Sequence, residues 1–528
     1  MINIICNTEK YEYDIRALVM GFYPGEELSY HVGEPCRSDE LHCEGRPDGT
    51  GEAAQRAEAD TYILIKLGDM CMDIAAGADA MVKKSGTAAE SMGSKMYRDV
   101  LKRLLYRCIA EYEGRELAWG TLTGVRPTKL PMKLLMQGYS VPEATEYMKR
   151  EYYCTENKAS LCTGVADTEL RILNDIHFNE GYSVYIGIPF CPTVCSYCSF
   201  SSTAVNNVPG ADRLMEEYID ALEKECAAVR DIYPDKRLTS IYVGGGTPTA
   251  LNEKLLARLM DIIRDNFPVA AVYEYTVEAG RPDSINKEKL KIMKAGGVTR
   301  ISVNPQTMKQ ETLHSIGRKH TVEQIIDIFY KARAAGFDNI NMDLIAGLQG
   351  ETVEDFKKTL EYIDKLGPDS FTVHSLVVKR ASAYRQQREL LKAEASGGSD
   401  GGACYDNSPG AHGDSGNIVD MMLDMAAEYA YNSGYSPYYM YRQKNKAGLG
   451  ENPVLENVGY ARSGKEGIYN ILIMEEKQTI IALGAGASSK LVYNSDENDY
   501  RIERIANVKN VREYIDRIDE MIGRKKRC

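Results

Sequence analysis

The sequence predicts an α/β protein: a partial (β/α)6 TIM-like barrel, preceded by an α+β domain and followed by a mixed extension. Three observations predict it. Between Tyr182 and His374 six short β-rich runs alternate with helical runs, and strands joined through helices form a parallel sheet that curls into a barrel. Polar and glycine-rich residues gather at the C-terminal ends of those runs, the face on which such barrels carry their chemistry. An apolar content of 44% and a charged content of 27% suit a folded chain of 528 residues, long enough for two or three domains.

Residues 1–175 are expected to form the leading α+β domain, with no recognisable metal or nucleotide motif. Met1–Cys6 and Thr61–Lys66 have strand composition, and Tyr11–Phe22 has helical spacing ended by Pro24-Gly25. Two polar stretches, Gly33–Asp60 and Ala75–Lys95, are expected to be exposed loops. Helices are expected near Lys95–Tyr112, Pro142–Glu151 and Ala159–Phe178. Between the first two, Gly120-Thr-Leu-Thr-Gly-Val-Arg-Pro-Thr-Lys129 is both tight and basic, a loop suited to an anion, to docking, or simply to a turn with solvated cations.

The barrel is assigned to residues 176–392. Its strands are Tyr182–Ile188, Thr239–Val243, Val272–Glu278, Thr299–Val303, Asn339–Leu344 and Ser370–His374. The intervening helices run near Asp212–Tyr233, Lys254–Phe267, Lys287–Ala295, Val322–Ala335 and Val353–Leu366. Thr321-Val-Glu-Gln324 is a capping box and Thr352-Val-Glu-Asp355 a near match. Residues 393–416 are a linker or loop, since Ala395–Gly416 holds eleven Gly or Ser among twenty-two residues. Cys404 and His412 lie in it, too isolated to make a metal site.

Residues 417–528 are expected to form a C-terminal domain covering the substrate. Ile418–Asn432 is an amphipathic helix, followed by the aromatic and basic stretch Tyr435–Asn445. Thr479-Ile-Ile-Ala-Leu-Gly-Ala-Gly-Ala-Ser-Ser-Lys490 is an apolar strand entering a small-residue loop, built for close approach to a ligand or for tight packing. A packing helix is expected at Val508–Ile522.

The chemistry begins directly after the first barrel strand. Tyr185-Ile-Gly-Ile-Pro-Phe-Cys-Pro-Thr-Val-Cys-Ser-Tyr-Cys198 carries Cys191, Cys195 and Cys198 at C-x3-C-x2-C spacing. Buried thiols, or a zinc site completed by a distant His, are the plainer alternatives. A [4Fe–4S] cluster uses one thiolate per iron, so three thiolates leave one iron open, the mark of a catalytic centre rather than a structural one. This spacing resembles the radical S-adenosylmethionine (SAM) enzymes. In them the open iron takes the amino and carboxylate groups of SAM, and reduction releases methionine and a 5′-deoxyadenosyl radical.

The later strand ends extend the resemblance. Gly244-Gly-Gly-Thr-Pro248 follows strand two, Glu278 ends strand three, Asn304-Pro-Gln306 follows strand four, Arg318 lies twelve residues beyond, and Asp343 stands on strand five. This ordered set resembles the oxygen-independent coproporphyrinogen III oxidase family, and more closely its HemZ-type branch. The flanking Leu122–Lys129, Gly464–Gly467 and Ile480–Gly486 also look like that branch. The resemblance implies a cluster on Cys191, Cys195 and Cys198, and SAM bound by Tyr185, Tyr197, Gly245, Gly246, Thr247, Glu278, Gln306, Arg318 and Asp343.

It also implies oxidative decarboxylation of two propionates of coproporphyrinogen III, or a related tetrapyrrole, to vinyls, giving protoporphyrinogen IX in porphyrin and heme biosynthesis. An electron donor for the cluster and an electron acceptor are then needed. Such a substrate carries four carboxylates, which calls for bidentate cations; Arg281, Arg380 and Arg442 are the candidates by position. Two positions depart from the family: Gly187 stands where a His is frequent, and Phe200 where the best known oxidases have a further Cys. That Phe is shared with the related heme chaperones. A heme-binding chaperone, with His374 the best placed axial candidate, and a radical SAM enzyme for another anionic substrate are therefore the alternatives.

The net charge of −12 argues against nucleic acid or a membrane surface as partner. No run of about 18 apolar residues occurs, so no membrane span is expected. The N-terminus lacks a basic and then apolar signal pattern, and thirteen cysteines without one point to the reducing cytoplasm. Tyrosine is unusually common, 35 against 9 Phe and 1 Trp.

Overall fold

The computed structural model describes residues 1–33, 61–68, 72–77, 82–87, 93–198, 200, 202–376, 414–443, 456–494 and 500–526. They form two compact units, the first built mainly on Met1–Thr163 and the second on Gly164–Asn407, Asn417–Tyr441 and Glu456–Cys528. Most of the expected linker lies outside the described residues, as do Cys404, His412 and Arg380. Among the described residues no helix is long and apolar enough to cross a membrane.

In the first unit, β1 (Ile2–Cys6), β2 (Leu28–Val32), β3 (Thr61–Leu67), β4 (Met72–Gly77) and β5 (Val82–Gly86) form a sheet in the order β2-β1-β3-β4-β5. β1 is parallel to β2 and β3, and the rest is antiparallel. Helices Glu12–Phe22 and Ser94–Glu113 bury Ile15, Leu18, Phe22, Leu101, Leu105 and Ile109 in one core with Ile4, Cys6, Ile63 and Ile65 of the sheet.

The expected loop Ala75–Lys95 proves instead to hold the end of β4 and all of β5. β5 is the short edge strand Val-Lys-Lys-Ser-Gly, a polar composition that suits an edge and hides the strand from a hydrophobic pattern. The helix Lys129–Met136 is a further addition, too short for its sequence to show a clear period. Its neighbour, the tight basic loop, is fixed by backbone packing. Gly120 has φ +51, a Cβ there would fall 1.9 Å from the Tyr152 carbonyl oxygen, and Thr121 N–H donates to that carbonyl at 2.8 Å.

In the second unit all six expected barrel strands are present: β6 (Gly181–Ile188), β9 (Arg237–Gly245), β10 (Glu274–Gly280), β11 (Arg300–Val303), β12 (Ile340–Ala346) and β13 (Ser370–Ser375). A two-residue parallel pair, β7 (Phe190–Cys191) and β8 (Thr203–Ala204), brackets the cysteine loop. Both expected capping boxes form, at Thr321 and Thr352. The intervening helices turn apolar faces inward, as with Leu255, Leu256, Leu259 and Ile263 of Glu253–Asn266.

The C-terminal strands β14 (Ser436–Arg442), β15 (Glu456–Ala461), β16 (Ile480–Leu483), β17 (Ser488–Asn494) and β18 (Tyr500–Ala506) join this sheet. Among the described residues its order is β14-β15-β13-β12-β11-β10-β9-β6-β16-β17-β18. β16 lies parallel to β6, with Ala482 opposite Tyr185, so a seventh parallel strand arrives from the far end of the chain. The helix Ile468–Glu475, absent from the sequence-based expectation, begins where the Glu274 carboxylate accepts the N–H groups of Ile468 (2.6 Å) and Tyr469 (3.3 Å). The preceding Gly464–Gly467 turn is held by Arg300, whose Nη1 donates to the Lys465 carbonyl at 3.1 Å.

Two helices, Val511–Asp516 and Ile518–Lys525, replace the single one expected at Val508–Ile522, because Arg517 leaves helical geometry at φ −114. The glycine-rich loop after β16 is packed tightly. Gly484 has φ +95, and a Cβ there would lie 2.5 Å from both the Gly187 carbonyl oxygen and the Tyr218 hydroxyl.

Candidate active site

β6 and β9 to β13 run parallel, so their C-terminal ends share one edge. The cysteine loop leaves β6 at that edge and is pinned on two sides. On one, Arg281 is buried, with Nη1 donating to the Thr193 carbonyl (2.9 Å) and hydroxyl (2.7 Å). The same guanidinium grips Asp283 in bidentate fashion, Nε at 3.0 Å and Nη2 at 2.6 Å. On the other side, Ser196 N–H donates to the Ile316 carbonyl at 3.2 Å. Beside that contact Arg318 is buried, with Nη1 donating to the Asn304 carbonyl at 2.5 Å and Nη2 to the Tyr197 hydroxyl at 3.3 Å.

Burial pushes the Cys191 thiol up, opposed by the Thr247 hydroxyl 3.6 Å from its sulfur and by Arg281. Burial raises Cys198 too, opposed by the Phe200 backbone and by Arg318. Cys195 adds a smaller rise at both Cys191 and Cys198. Among the described residues, two buried donors of this region, Arg318 Nε and Ser196 Oγ, make no hydrogen bond. Thiol-only ligands ringed by cations and spare donors suit an iron–sulfur cluster, which carries negative charge and takes one thiolate per iron. The residues present therefore fit a [4Fe–4S] group with one iron lacking a protein ligand.

The other expected SAM contacts occupy the same edge. Gly246 and Thr247 are tied back to the loop, with N–H groups donating to the carbonyls of Ile188 (2.9 Å) and Phe190 (2.7 Å). Gly245 has φ +103 and its Cβ position lies 2.9 Å from the Tyr185 hydroxyl, so only glycine fits there. Glu278 accepts from the Tyr242 hydroxyl at 2.5 Å and from Gly245 N–H at 3.3 Å. Burial pushes its carboxyl up to about 7, and the bond from Tyr242 works against that shift.

Gln306 sits at φ +69, a strained value for a residue with a side chain and of the kind that gathers at functional sites. Its N–H donates to the Asp343 carbonyl and its carbonyl accepts from Ile345, both at 2.9 Å. Asp343 accepts from Asn341 Nδ2 at 2.8 Å and faces His374 Nε2 at 3.7 Å. Burial opposes its ionisation, yet His374 and these polar neighbours hold its carboxyl below the ordinary range.

The placement of Arg281 corrects its expected role at a substrate carboxylate. Its donors are committed to Thr193 and Asp283, which makes it the clamp of the cysteine loop. Replacing it by Ala should cost about 2–3 kcal/mol, since the Asp283 carboxylate then loses its bidentate partner and keeps only His320, at 3.6 Å. Iron uptake on reconstitution should fall with it; an unchanged melting temperature and iron content would contradict this role. Arg442, in the first unit, donates to the carbonyls of Leu122 (2.6 Å) and Gly124 (3.5 Å) and lies over the Trp119 ring at 5.0 Å.

Sequence reasoning missed Tyr242 and Tyr469, whose rings stack at 4.4 Å and both lie 6.1 Å from Tyr185. Tyr242 is legible in principle, being two residues before the glycine run on the strand beside Glu278. Tyr469 is not, because nearly two hundred residues separate it from Glu278.

Comparison with known proteins accords with this geometry. The pattern of the Radical SAM superfamily matches residues 185–363, and that superfamily uses a [4Fe–4S] cluster and SAM. The oxygen-independent coproporphyrinogen-III oxidase-like protein HemZ of Bacillus subtilis is 37% identical over 440 residues, 83% of this chain and 82% of that one. The heme chaperone HemW of the same organism is 38% identical over 205 residues, 38% of this chain and 52% of that one. The oxygen-independent coproporphyrinogen III oxidase of Escherichia coli is 34% identical over 212 residues, 40% of this chain and 45% of its own. This chain thus spans about half the length of the latter two. Among solved structures, coproporphyrinogen III oxidase (HemN) from Escherichia coli aligns with 67% of this chain and 73% of its own, at 23% identity and a TM-score of 0.47. From the match to HemZ along most of both chains, this protein belongs to the oxygen-independent coproporphyrinogen III oxidase family of radical SAM proteins, in its HemZ-type branch.

Proposed function

We propose that this protein decarboxylates coproporphyrinogen III to protoporphyrinogen IX without oxygen, in the cytoplasm. One observation carries the reading. The likeness to HemZ runs through 83% of the chain, well past the barrel, whereas the likeness to the heme chaperone covers 38%. The match to HemZ is about twice as long as the barrel, so it takes in sequence that flanks the barrel.

In this reading Cys191, Cys195 and Cys198 hold the cluster. When bound, cluster and SAM together supply a carbon radical able to remove hydrogen from an unactivated C–H bond. The chain's own residues bind and orient. Gly245, Gly246 and Thr247 offer close backbone approach to the methionyl part of SAM. Glu278 and Asp343 supply acceptors for hydroxyl or ammonium groups, Gln306 and Arg318 supply donors, and Tyr185 and Tyr197 wall the site. Each of the two propionates converted loses a hydrogen from the carbon β to its carboxylate, then CO2 and one electron, the last to a separate acceptor. With Arg281 committed elsewhere, Arg380 remains a candidate grip on a propionate. Arg380→Ala should raise the substrate KM about tenfold or more while SAM cleavage without substrate is unchanged; an unaltered KM would remove it.

A second reading, a heme chaperone on the same barrel, draws support from Phe200, which is 71% exposed where the best known oxidases carry a Cys. His374, its best axial candidate, faces Asp343 among the expected SAM contacts. Anaerobic protein given SAM, reductant, an acceptor and coproporphyrinogen III separates the two. Vinyl-bearing products support the oxidase, whereas tight heme binding without turnover supports the chaperone.

A further inference from the structure

The tyrosines behind Glu278 form a small built structure. Tyr242 and Glu278 stand on adjacent parallel strands, on the sheet face they share with Tyr185. They meet because residue 244 is glycine: a Cβ there would lie 2.7 Å from Glu278 Cδ and 2.8 Å from Tyr242 Cε1. The Tyr242 hydroxyl donates to Glu278 Oε1 at an oxygen–oxygen distance of 2.5 Å, and the other donor to that carboxylate among the described residues is Gly245 N–H on Oε2, at 3.3 Å. The Tyr242 ring is held in turn by Tyr469, stacked on it at 4.4 Å and 23°. Tyr469 is itself anchored by Glu274, four residues before Glu278 on the same strand, through its N–H. One strand thus carries a carboxylate that docks the C-terminal helix and another that faces the SAM site, joined through two stacked phenols.

We infer that Tyr242 is a positioning residue, keeping the Glu278 carboxylate charged and aimed as an acceptor for the hydroxyl or ammonium groups of SAM, and that Tyr469 of the C-terminal extension holds Tyr242 in place. The inference rests on the proposal that Glu278 binds SAM, and is independent of which substrate SAM then serves. A buried carboxylate given one long backbone hydrogen bond drifts toward its neutral form, which donates where it should accept. The groups facing Glu278 are Tyr242, Tyr185, Tyr469, Asp343 and His374. Asp343 favours the neutral carboxyl and His374 the charged one. Tyr242 is the one of these that donates a hydrogen bond to it.

The test is SAM binding to cluster-loaded full-length protein, by equilibrium dialysis from about pH 6 to 9, with the Glu278 carboxyl band followed in parallel by infrared spectroscopy and assigned by its loss in Glu278→Gln. Affinity of the natural protein should rise with pH as Glu278 ionises. Tyr242→Phe should weaken SAM about tenfold at pH 7 and move both the affinity profile and the carboxyl band to higher pH. Tyr469→Phe, which keeps the ring, should behave as the natural protein, and Tyr469→Ala should move toward Tyr242→Phe. An unshifted carboxyl band in Tyr242→Phe would overturn the inference, and so would natural SAM affinity in that variant while Glu278→Gln binds poorly. Natural affinity in Glu278→Gln would instead remove Glu278 from the SAM site, and the inference with it. If Tyr242→Phe does not fold, the band in Tyr469→Ala decides: a shift upward supports the coupling and no shift overturns it.

Discussion

Replacing any one of Cys191, Cys195 or Cys198 by Ala should abolish the iron–sulfur absorbance of the reconstituted protein and bring SAM cleavage to background, while the chain stays folded. The effect is total because the site has no reserve. The three thiols come from one loop, and a variant keeps two, too few to retain a cluster that already has one iron without a protein ligand. Folding should survive because Ala is nearly the size of Cys, and Cys191 and Cys198 are only partly buried; the change in stability should stay within about 1 kcal/mol. Cys226→Ala is the control. Cys226 is buried in the helix Ala211–Val229, apart from the loop, and its loss should leave iron content and SAM cleavage intact. Iron and sulfide analysis with 5′-deoxyadenosine measurement checks both. A Cys195→Ala protein that keeps four irons and cleaves SAM would contradict the assignment.

The second large effect is structural and lies beside β6, where the loop after β16 packs. Glu225 is fully buried and joins four elements. Its Oε1 meets Lys525 Nζ (2.9 Å) and Asn507 Nδ2 (2.9 Å), and its Oε2 accepts from Tyr514 Oη (2.6 Å) and Gly484 N–H (2.8 Å). Lys525 is itself 1% exposed, so neither charge has water to turn to. Glu225→Ala leaves a buried ammonium and three donors without their acceptor and should cost about 3–5 kcal/mol. Urea unfolding measures it. The damage should reach the candidate site, because Gly484 abuts the Gly187 carbonyl, two residues after Tyr185. Lys525→Met should cost similar stability, and the double variant should lose less than the sum. A Glu225→Ala protein as stable as the natural one would show that the network contributes nothing.

These two predictions mark what is legible in the chain's own residue pattern and what is not. The cysteine loop, the glycine run and the carboxylates at strand ends are local patterns with a chemical reason for each residue type, so each can be read from neighbouring residues alone. The six strands and their capping boxes are local in the same sense. What escapes is long-range. Tyr469 meets Tyr242 only because Glu274 and Arg300 dock the Gly464–Gly467 turn, and no periodicity in either segment encodes that meeting. β16 has the composition of a strand, but its place beside β6 depends on pairing across nearly three hundred residues. Arg281 misleads because a charge near the mouth is consistent with a ligand or a clamp, and only its geometry with Thr193 and Asp283 separates them. The edge strand β5 is hidden by its own polarity.

The most direct measurement of the central claim is the stoichiometry of an anaerobic turnover. Reconstituted protein, SAM, a reductant, an electron acceptor and coproporphyrinogen III would be sampled over time for 5′-deoxyadenosine and for porphyrin products by mass. The account predicts tripropionic and then dipropionic products, with one 5′-deoxyadenosine formed for each propionate converted. Loss of SAM with every propionate still in place, together with stoichiometric heme binding, would contradict it.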